Sequence, residues 1–221
     1  MPREIFQQEL DQLVADVIEL GAEVASSLES AVEAMMSCDA KVVEPELGVD
    51  ARYKARGAQI ESACMILQAR QAPVARDLRV LHSAQSVTKH LVRSGALVEH
   101  ICNAIFETAE YDKDEDLETV LTEMAKAARN IFDEGLGIFR DLDVDRARDL
   151  QAKDDKVDLL YSEALNLIAN PPEKHGGSPE WRMRAALMVH YLERVSDHGV
   201  GIGASSVFLV TGERMGDATK Q

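Results

Sequence analysis

The sequence predicts an all-α protein of two tandem three-helix bundles, with six long helices related by internal duplication. Apolar residues recur every three or four positions over most of the 221 residues, which is typical of amphipathic helices. Glycine and proline, at 13 and 6 residues, are too rare for the many turns of a sandwich or barrel. A short segment of the third predicted helix matches one in the sixth, which indicates the duplication.

The first half divides into three helices. Apolar residues from Leu10 to Met35 draw one stripe along the first helix, at a spacing of three and four. Pro73 is expected at the first position of the third helix, because its missing N–H would have no partner in that turn anyway. An acidic stretch at 110–116 follows and predicts a solvated turn. The predicted helices cover residues 4–38, 49–71 and 73–109.

The second half repeats this order of three helices. Residues 89–97 align with residues 190–198 at an offset of 101. Leu187 in the sixth helix is expected to face the core, and Gly212 to stop that helix. Trp181 either caps the end of the bundle or anchors a partner. The predicted helices cover residues 117–140, 146–169 and 179–211, and the predicted domains cover 1–111, 112–213 and a flexible C-terminal tail at 214–221.

Charge and cysteine content exclude several classes of function. The chain carries 24 basic and 39 acidic residues, a formal net charge of −15, so nucleic acid or an anionic membrane would repel it. We therefore expect no nucleic-acid partner and no direct membrane insertion. Three widely spaced cysteines favour neither a disulfide framework nor a CxxC zinc site. The first residues form no apolar targeting segment and no run of about 18 apolar residues occurs, so a cytoplasmic location is expected.

Two pairs of acidic residues indicate a candidate cation site. Asp154 and Asp158 are four residues apart in the fifth helix and share one helical face. Glu193 and Asp197 have the same spacing in the sixth helix, so the two pairs on neighbouring helices would form a cluster of oxygens that attracts a cation. Two other interpretations stay open. Such pairs are common on the solvated surface of an acidic chain, and Arg194 could neutralise them through salt bridges in a purely structural motif.

No motif of a known catalytic class occurs in the chain. None of the 6 histidines follows a glutamate by three residues, as a ferritin-type di-metal oxidase requires. Nucleophile-elbow, Walker and Gly-x-Gly-x-x-Gly patterns are also absent from the sequence. The sequence therefore predicts a protein that is not an enzyme. The alternatives are a carboxylate-cluster metalloprotein or metalloenzyme on a helical bundle, and a plain helical scaffold.

Three segments resemble the PhoU family in order and spacing. Residues 70–79, RQAPVARDLR, resemble the family's RQxPxAxDLR entry to the third helix. Residues 192–198, LERVSDH, resemble its LERxxDH motif, and residues 154–158, DDKVD, resemble its DxxVD segment. The resemblance extends over about residues 5–213. Within the family, the chain resembles PhoU relatives from actinobacteria.

The resemblance implies a regulatory protein without established enzymatic activity. The family's role would make this chain a cytoplasmic adaptor of phosphate homeostasis, which couples a phosphate ABC transporter to a sensor histidine kinase. In that role it would repress the phosphate-starvation response. The implied partners are the transporter ATPase, the kinase and a second copy of the chain in a homodimer, and through them the protein would be peripheral at the inner membrane.

The resemblance also implies a metal site in one half of the chain. Metal-binding family members carry the acidic motif in both halves, whereas Val92 and Ala96 occupy the corresponding positions of the first half here. Lys54 places a positive charge there that opposes a cation, so at most one cluster per chain is expected, holding Fe, Mn, Mg or Zn. The implied metal ligands are Asp154, Asp158, Glu193 and Asp197, with Asp155, His198 and Arg194 as additional site residues.

Overall fold

The computed structural model describes residues 3–173 and 176–215, which form six α-helices and, within these ranges, no β-strand. This architecture confirms the predicted all-α class with two repeated bundles. A 3-10 helix lies between the first two α-helices. The α-helices are α1 (Arg3–Ser37), α2 (Asp50–Gln71), α3 (Arg76–Glu107), α4 (Glu115–Asp141), α5 (Val144–Ala169) and α6 (Pro179–Thr211).

The two bundles, α1 to α3 and α4 to α6, meet along α3 and α6. These helices run antiparallel. Near one end Arg79 Nε donates to the carbonyl oxygen of Leu209 at 3.0 Å, and near the other Arg184 pairs with Glu107 at 2.7 Å. We call this contact the α3–α6 seam. Helices α1 and α4 also touch, whereas α2 and α5 contact only their own bundle within the described residues.

Side-chain caps begin three of the helices. Asp114, Asp143 and Ser178 each accept a hydrogen bond from a backbone N–H in the first turn of the helix that follows. These bonds satisfy N–H groups that have no partner inside the helix. Helix α6 begins at Pro179 and stops at Gly212, as predicted, because glycine adopts the left-handed φ of 81° without a Cβ clash.

The start of α3 differs from the prediction. Pro73 does not open this helix, which begins three residues later at Arg76. Ala72 closes α2 in a left-handed conformation with φ 42°, and its N–H donates to the carbonyl oxygen of Gln68. Ala75 has φ 48°, so the chain cannot continue as a right-handed helix from Pro73 through this residue. The prediction of Pro73 as the first helical residue was wrong for this reason.

The connection between α1 and α2 contains a 3-10 helix that the sequence did not predict. It spans Ala40–Glu46 and includes Pro45. Asp39 caps it by accepting a hydrogen bond from the backbone N–H of Lys41 at 3.0 Å. Val43 is fully buried, so this connection contributes to the core of the first bundle. A helix of 7 residues is too short for apolar periodicity to reveal it.

Leu187 lies on the exposed side of helix α6, although it was predicted to face the core. That side chain is 40% exposed, whereas Ala185 and Met188 are buried. One residue corresponds to about 100° of rotation around a helix, so Leu187 cannot share the buried side that both of these residues define. The prediction that Leu187 faces the core was wrong.

The predicted domain limits are only partly covered by the structure. The boundary between 1–111 and 112–213 falls in the connection from α3 to α4 and stays a prediction. From residue 216 onward, the predicted tail at 214–221 lies outside the described residues. None of the helices described has a stretch both long and apolar enough to cross a bilayer.

Candidate functional site

Four carboxylates lie together where α5 packs against α6. Asp154 and Asp158 are one turn apart on α5, and Glu193 and Asp197 are one turn apart on α6. The two helices are in contact, and the charges of these four groups affect one another across that contact. The structure thus brings together all four residues that were implied as metal ligands. We call these four residues the acidic cluster.

Burial and mutual repulsion act on the protonation of the acidic cluster. Burial raises the pKa of Asp154, and the charges of Asp158 and Asp197 raise it further. A hydrogen bond that Ser196 Oγ donates to the Asp154 carboxylate opposes this rise. Partial removal from water likewise raises the pKa of the half-buried Glu193 and of Asp197, which keeps an exposed side, and a neighbouring carboxylate is the next cause for each. The acidic cluster is therefore more stable when some of its negative charge is neutralised, by a proton or by a cation.

The donors of the acidic cluster fit a hard cation, although the side chains are not already arranged around one. Carboxylate oxygens are the ligands that Mg²⁺, Mn²⁺ and iron accept readily. Across 3–173 and 176–215, no three His, Cys, Asp or Glu side chains are positioned to hold one ion. Asp158 and Asp197 are exposed, so their side chains can turn without repacking the core. An ion can bind to the acidic cluster only if these side chains turn toward it.

The three additional residues are placed differently. Asp155 is exposed and adds its charge to the repulsion on Asp154. His198 faces α3 instead of α5, with its Nδ1 atom 3.2 Å from Nδ1 of His90. Arg194 forms no ion pair in the part of the chain that the structure describes, although its charge offsets some of the rise that burial causes in the pKa of Asp197. The structure therefore contains no Arg194 salt bridge of the kind the structural interpretation requires.

Packing fills the corresponding surface of the first bundle. Val92, at the position equivalent to a ligand in the second bundle, lies against Gly57, where an added Cβ would be 2.4 Å from Val92 Cγ2. Asp50 remains as the one acidic counterpart on α2 and is held in an ion pair by Lys54. Val92 thus fills the space beside Gly57 and Lys54 pairs with Asp50, while the absence of a cation site from this half stays a prediction.

A buried polar network in the first bundle was not predicted. Ser27 Oγ donates to the carboxylate of Glu46 and is also hydrogen-bonded to the hydroxyl of Tyr53. Tyr53 is fully buried, and its ring packs directly against Gly95. A Cβ added to Gly95 would be 2.4 Å from Tyr53 Cδ2. Burial raises the pKa of Tyr53. Its partner Ser27 is 26 residues away in sequence, so only the tyrosine in an otherwise apolar stripe could have signalled a buried hydroxyl.

Known proteins are similar to this chain in sequence and in architecture. A family model described as "PhoU domain" matches the chain twice, at residues 17–105 and 121–205. The "Phosphate-specific transport system accessory protein PhoU homolog 1" of Mycobacterium tuberculosis is 29% identical over 213 residues, with 95% of each chain covered.

Two solved structures are also similar. The phosphate transport system regulatory protein PhoU from Streptococcus pneumoniae has a TM-score of 0.82 at 26% identity, over 95% of this chain and 98% of the other. PhoU from Pseudomonas aeruginosa has a TM-score of 0.87 at 22% identity, over 94% of this chain and 100% of the other, and supports the fold alone.

Proposed function

Because this chain belongs to the PhoU family, we propose that it is a regulatory adaptor of phosphate homeostasis. In this role it couples a phosphate ABC transporter to a sensor histidine kinase and represses the phosphate-starvation response. It acts in the cytoplasm, peripheral at the inner membrane through its protein partners. The observation that carries the proposal is the double match to the PhoU domain, once in each bundle, together with relatives named as accessory and regulatory proteins instead of enzymes.

The shape of the molecule supports docking over catalysis. Helix α6 has 33 residues and is therefore about 50 Å long, which gives the second bundle an extended face. Apolar side chains on that bundle are left exposed, with Leu159 of α5 at 72% and Met183 of α6 at 64%. The net charge of −15 favours partners with basic surfaces. A homodimer, formed through one of these faces, belongs to the same proposal.

The adaptor role predicts direct binding to the transporter ATPase and to the catalytic region of the kinase. Pull-downs with each purified partner, at high and low phosphate, should retain the chain in at least one condition. Association should weaken as salt rises, because the two surfaces attract one another by charge. Retention by neither partner in either condition would contradict the adaptor role, as would a deletion strain with unchanged phosphate-responsive transcription.

We propose in addition that the acidic cluster binds one metal centre per chain. The raised pKa values of Asp154, Glu193 and Asp197 support this proposal, because a bound cation would relieve the burial and repulsion that cause them. Fe, Mn and Mg suit the oxygen donors, and Zn also binds carboxylates. His198 would join the ligands only by turning away from His90.

Replacing Glu193 by Gln together with Asp197 by Asn should abolish metal binding. The double variant should also melt at a higher temperature than the metal-free parent, since two repelling charges are lost. Metal content by elemental analysis and thermal unfolding would check both results. Val92→Thr with Ala96→Ser, at the equivalent positions of the first bundle, is the control and should leave metal content unchanged. Equal metal in parent and double variant would refute the site, and turnover of a small substrate by the metal-loaded protein would favour the metalloenzyme alternative.

A further inference from the structure

Basic side chains collect along the α3–α6 seam of this acidic protein. Besides Arg79 and Arg184 near its ends, the seam contains three further arginines, of which Arg93 lies on α3, Arg194 on α6 and Arg214 just beyond α6. Aromatic contacts place His82 and His100 next to α6, and His90 next to His198. Five of the 6 histidines are on these two helices, namely His82, His90, His100, His190 and His198.

The centre of the seam holds a pair of imidazoles between two arginines. His90 and His198 are hydrogen-bonded through their Nδ1 atoms at 3.2 Å, so one ring donates and the other accepts. Burial lowers the pKa of both, that of His198 to about 4, and Arg93 lies close enough to lower both further. Arg194 has the same effect on His198. Arg194 also lies near Glu193 and Asp197 and offsets part of the rise that burial causes in the pKa of both carboxyl groups, so the acidic cluster balances part of the charge of this arginine.

Among the seam arginines, Arg184 pairs with Glu107 and Arg79 donates to a backbone carbonyl oxygen, in a chain where carboxylates outnumber cations. The composition is 39 acidic against 24 basic residues, and Arg56 on α2, for comparison, is paired with both Glu19 and Glu23. Within the described ranges, Arg93, Arg194 and Arg214 form no ion pair. Of these three, Arg194 lies beside the carboxylates of the acidic cluster, whereas Arg214 lines a cavity that has no Asp or Glu among its described lining residues.

A cavity of about 330 Å³ opens beside this pair of histidines. Arg214 lines it together with hydroxyl groups, and no Asp or Glu of the described residues takes part in the lining. Ser83 Oγ donates to the carbonyl oxygen of Ser205 at 3.2 Å, and Ser205 Oγ donates to that of Gly201 at 3.0 Å. The Ser86 hydroxyl is therefore the one whose hydrogen is available for a ligand among the described serines of the lining. The polar residues that line the cavity are His82, Ser83, Ser86, His90, Ser205 and Arg214.

Another arginine-lined cavity shows why this lining is distinctive. At the end of the bundles, a cavity of about 590 Å³ is lined by Arg3, Arg76 and Arg140. Asp11 and Asp77 line the same cavity and offset most of that charge. The cavity at the seam has the Arg214 cation and the Ser86 hydroxyl, and no carboxylate of the described residues lines it.

We propose that the seam cavity binds a small tetrahedral oxyanion, a phosphate group that is either free or carried on a small molecule. Guanidinium and hydroxyl groups are strong donors to such oxygens. A polyanion is disfavoured, because it would extend over surfaces that share the net charge of −15. A small anion responds mainly to charges within about 10 Å, and the charged side chain among the described lining residues is Arg214. The proposal goes beyond the adaptor role and does not depend on it.

Calorimetry on the full chain with inorganic phosphate, and separately with adenosine monophosphate, tests this site. We expect saturable binding of at least one of the two, and whichever binds identifies the ligand as free or esterified phosphate. Arg214→Gln should weaken binding about tenfold or more, as loss of a charged hydrogen bond does. Ser86→Leu should weaken binding without changing the charge, because it replaces the available hydroxyl donor by an apolar side chain in the cavity.

Arg148→Gln is the matched control, because it makes the same change in net charge away from the seam. Arg148 is an exposed residue of α5, a helix that contacts only the second bundle within the described residues. Its ion pair with Asp145 joins two exposed side chains, so losing that pair should cost little stability. The affinity for either compound should therefore stay at the parental value in this variant.

Circular dichroism would establish that each variant is folded. No saturable binding of either compound at millimolar concentration would overturn the proposal, and so would an equal loss of affinity in the Arg148 and Arg214 variants. The transporter and kinase are absent from this experiment, so a failed pull-down and a failed titration are independent results.

Discussion

Replacing Gly135 by alanine should lower the free energy of unfolding by about 3 kcal/mol or more. This loss is at or above the upper end of the range for substitutions that add atoms to a packed core. Helices α4 and α6 cross here with their backbones in contact. A Cβ on Gly135 would lie 2.2 Å from the carbonyl oxygen of Gly199, and a Cβ on Gly199 would lie 2.8 Å from the Cα of Phe132. Backbone atoms cannot rotate away as a side chain can, so the two helices would have to separate.

Gly137→Ala is the matched control, a little further along the same helix. Its added Cβ would have only Arg146 Nη2 nearby, at 3.5 Å, which is an ordinary contact with the end of a flexible side chain. We expect this variant to gain up to about 1 kcal/mol from the higher helix propensity of alanine. Urea unfolding followed by circular dichroism gives both values. A similar loss of unfolding free energy in both variants would contradict the conclusion that backbone contact at Gly135 requires a glycine there.

Trp181→Ala should cost about 3–5 kcal/mol of unfolding free energy, the range for truncating a buried aromatic side chain. Trp181 is 1% exposed, and a Cβ on Gly177 would be 2.8 Å from its Cε3 atom. Its backbone N–H donates to Ser178 Oγ at 3.1 Å, which holds the first turn of α6. Of the two interpretations of Trp181, the structure agrees with the cap at the end of the bundle.

Met183→Ala tests the same turn of α6 without touching the core. Met183 is 64% exposed, so the change should alter stability by no more than about 0.5 kcal/mol. Thermal unfolding of both variants, with the pull-downs described above, separates folding from docking. If Trp181→Ala kept parental stability and lost partner binding, the cap interpretation would be contradicted and the partner-anchor interpretation would return.

The sequence alone determined the helices and the class of fold. Apolar periodicity, Pro179 and Gly212 predicted α6 with the same bounds that the structure has, because each is a local signal. Where local signals compete, the prediction failed. Pro73 is a good first helical residue in isolation, but the left-handed Ala75 delays the start of α3.

The pairing of residues along separate helices was only partly accessible from sequence. The four residues of the acidic cluster were identified by spacing and resemblance, and α5 and α6 do bring them together. His198 was assigned to the same site, whereas the structure turns it toward His90. Spacing along one helix gives the angle between two side chains but not which neighbouring helix each will meet.

Tertiary structure alone decided the contacts between the bundles. The glycine crossing of α4 and α6, the imidazole pair and the cavity at the seam each join residues from different helices. Their positions depend on how far each helix is rotated and shifted along its axis when the cores pack. Periodicity is a property of one helix and reports which side is apolar, so it predicts that helices pack but leaves their relative rotation and shift to side-chain packing across the interface.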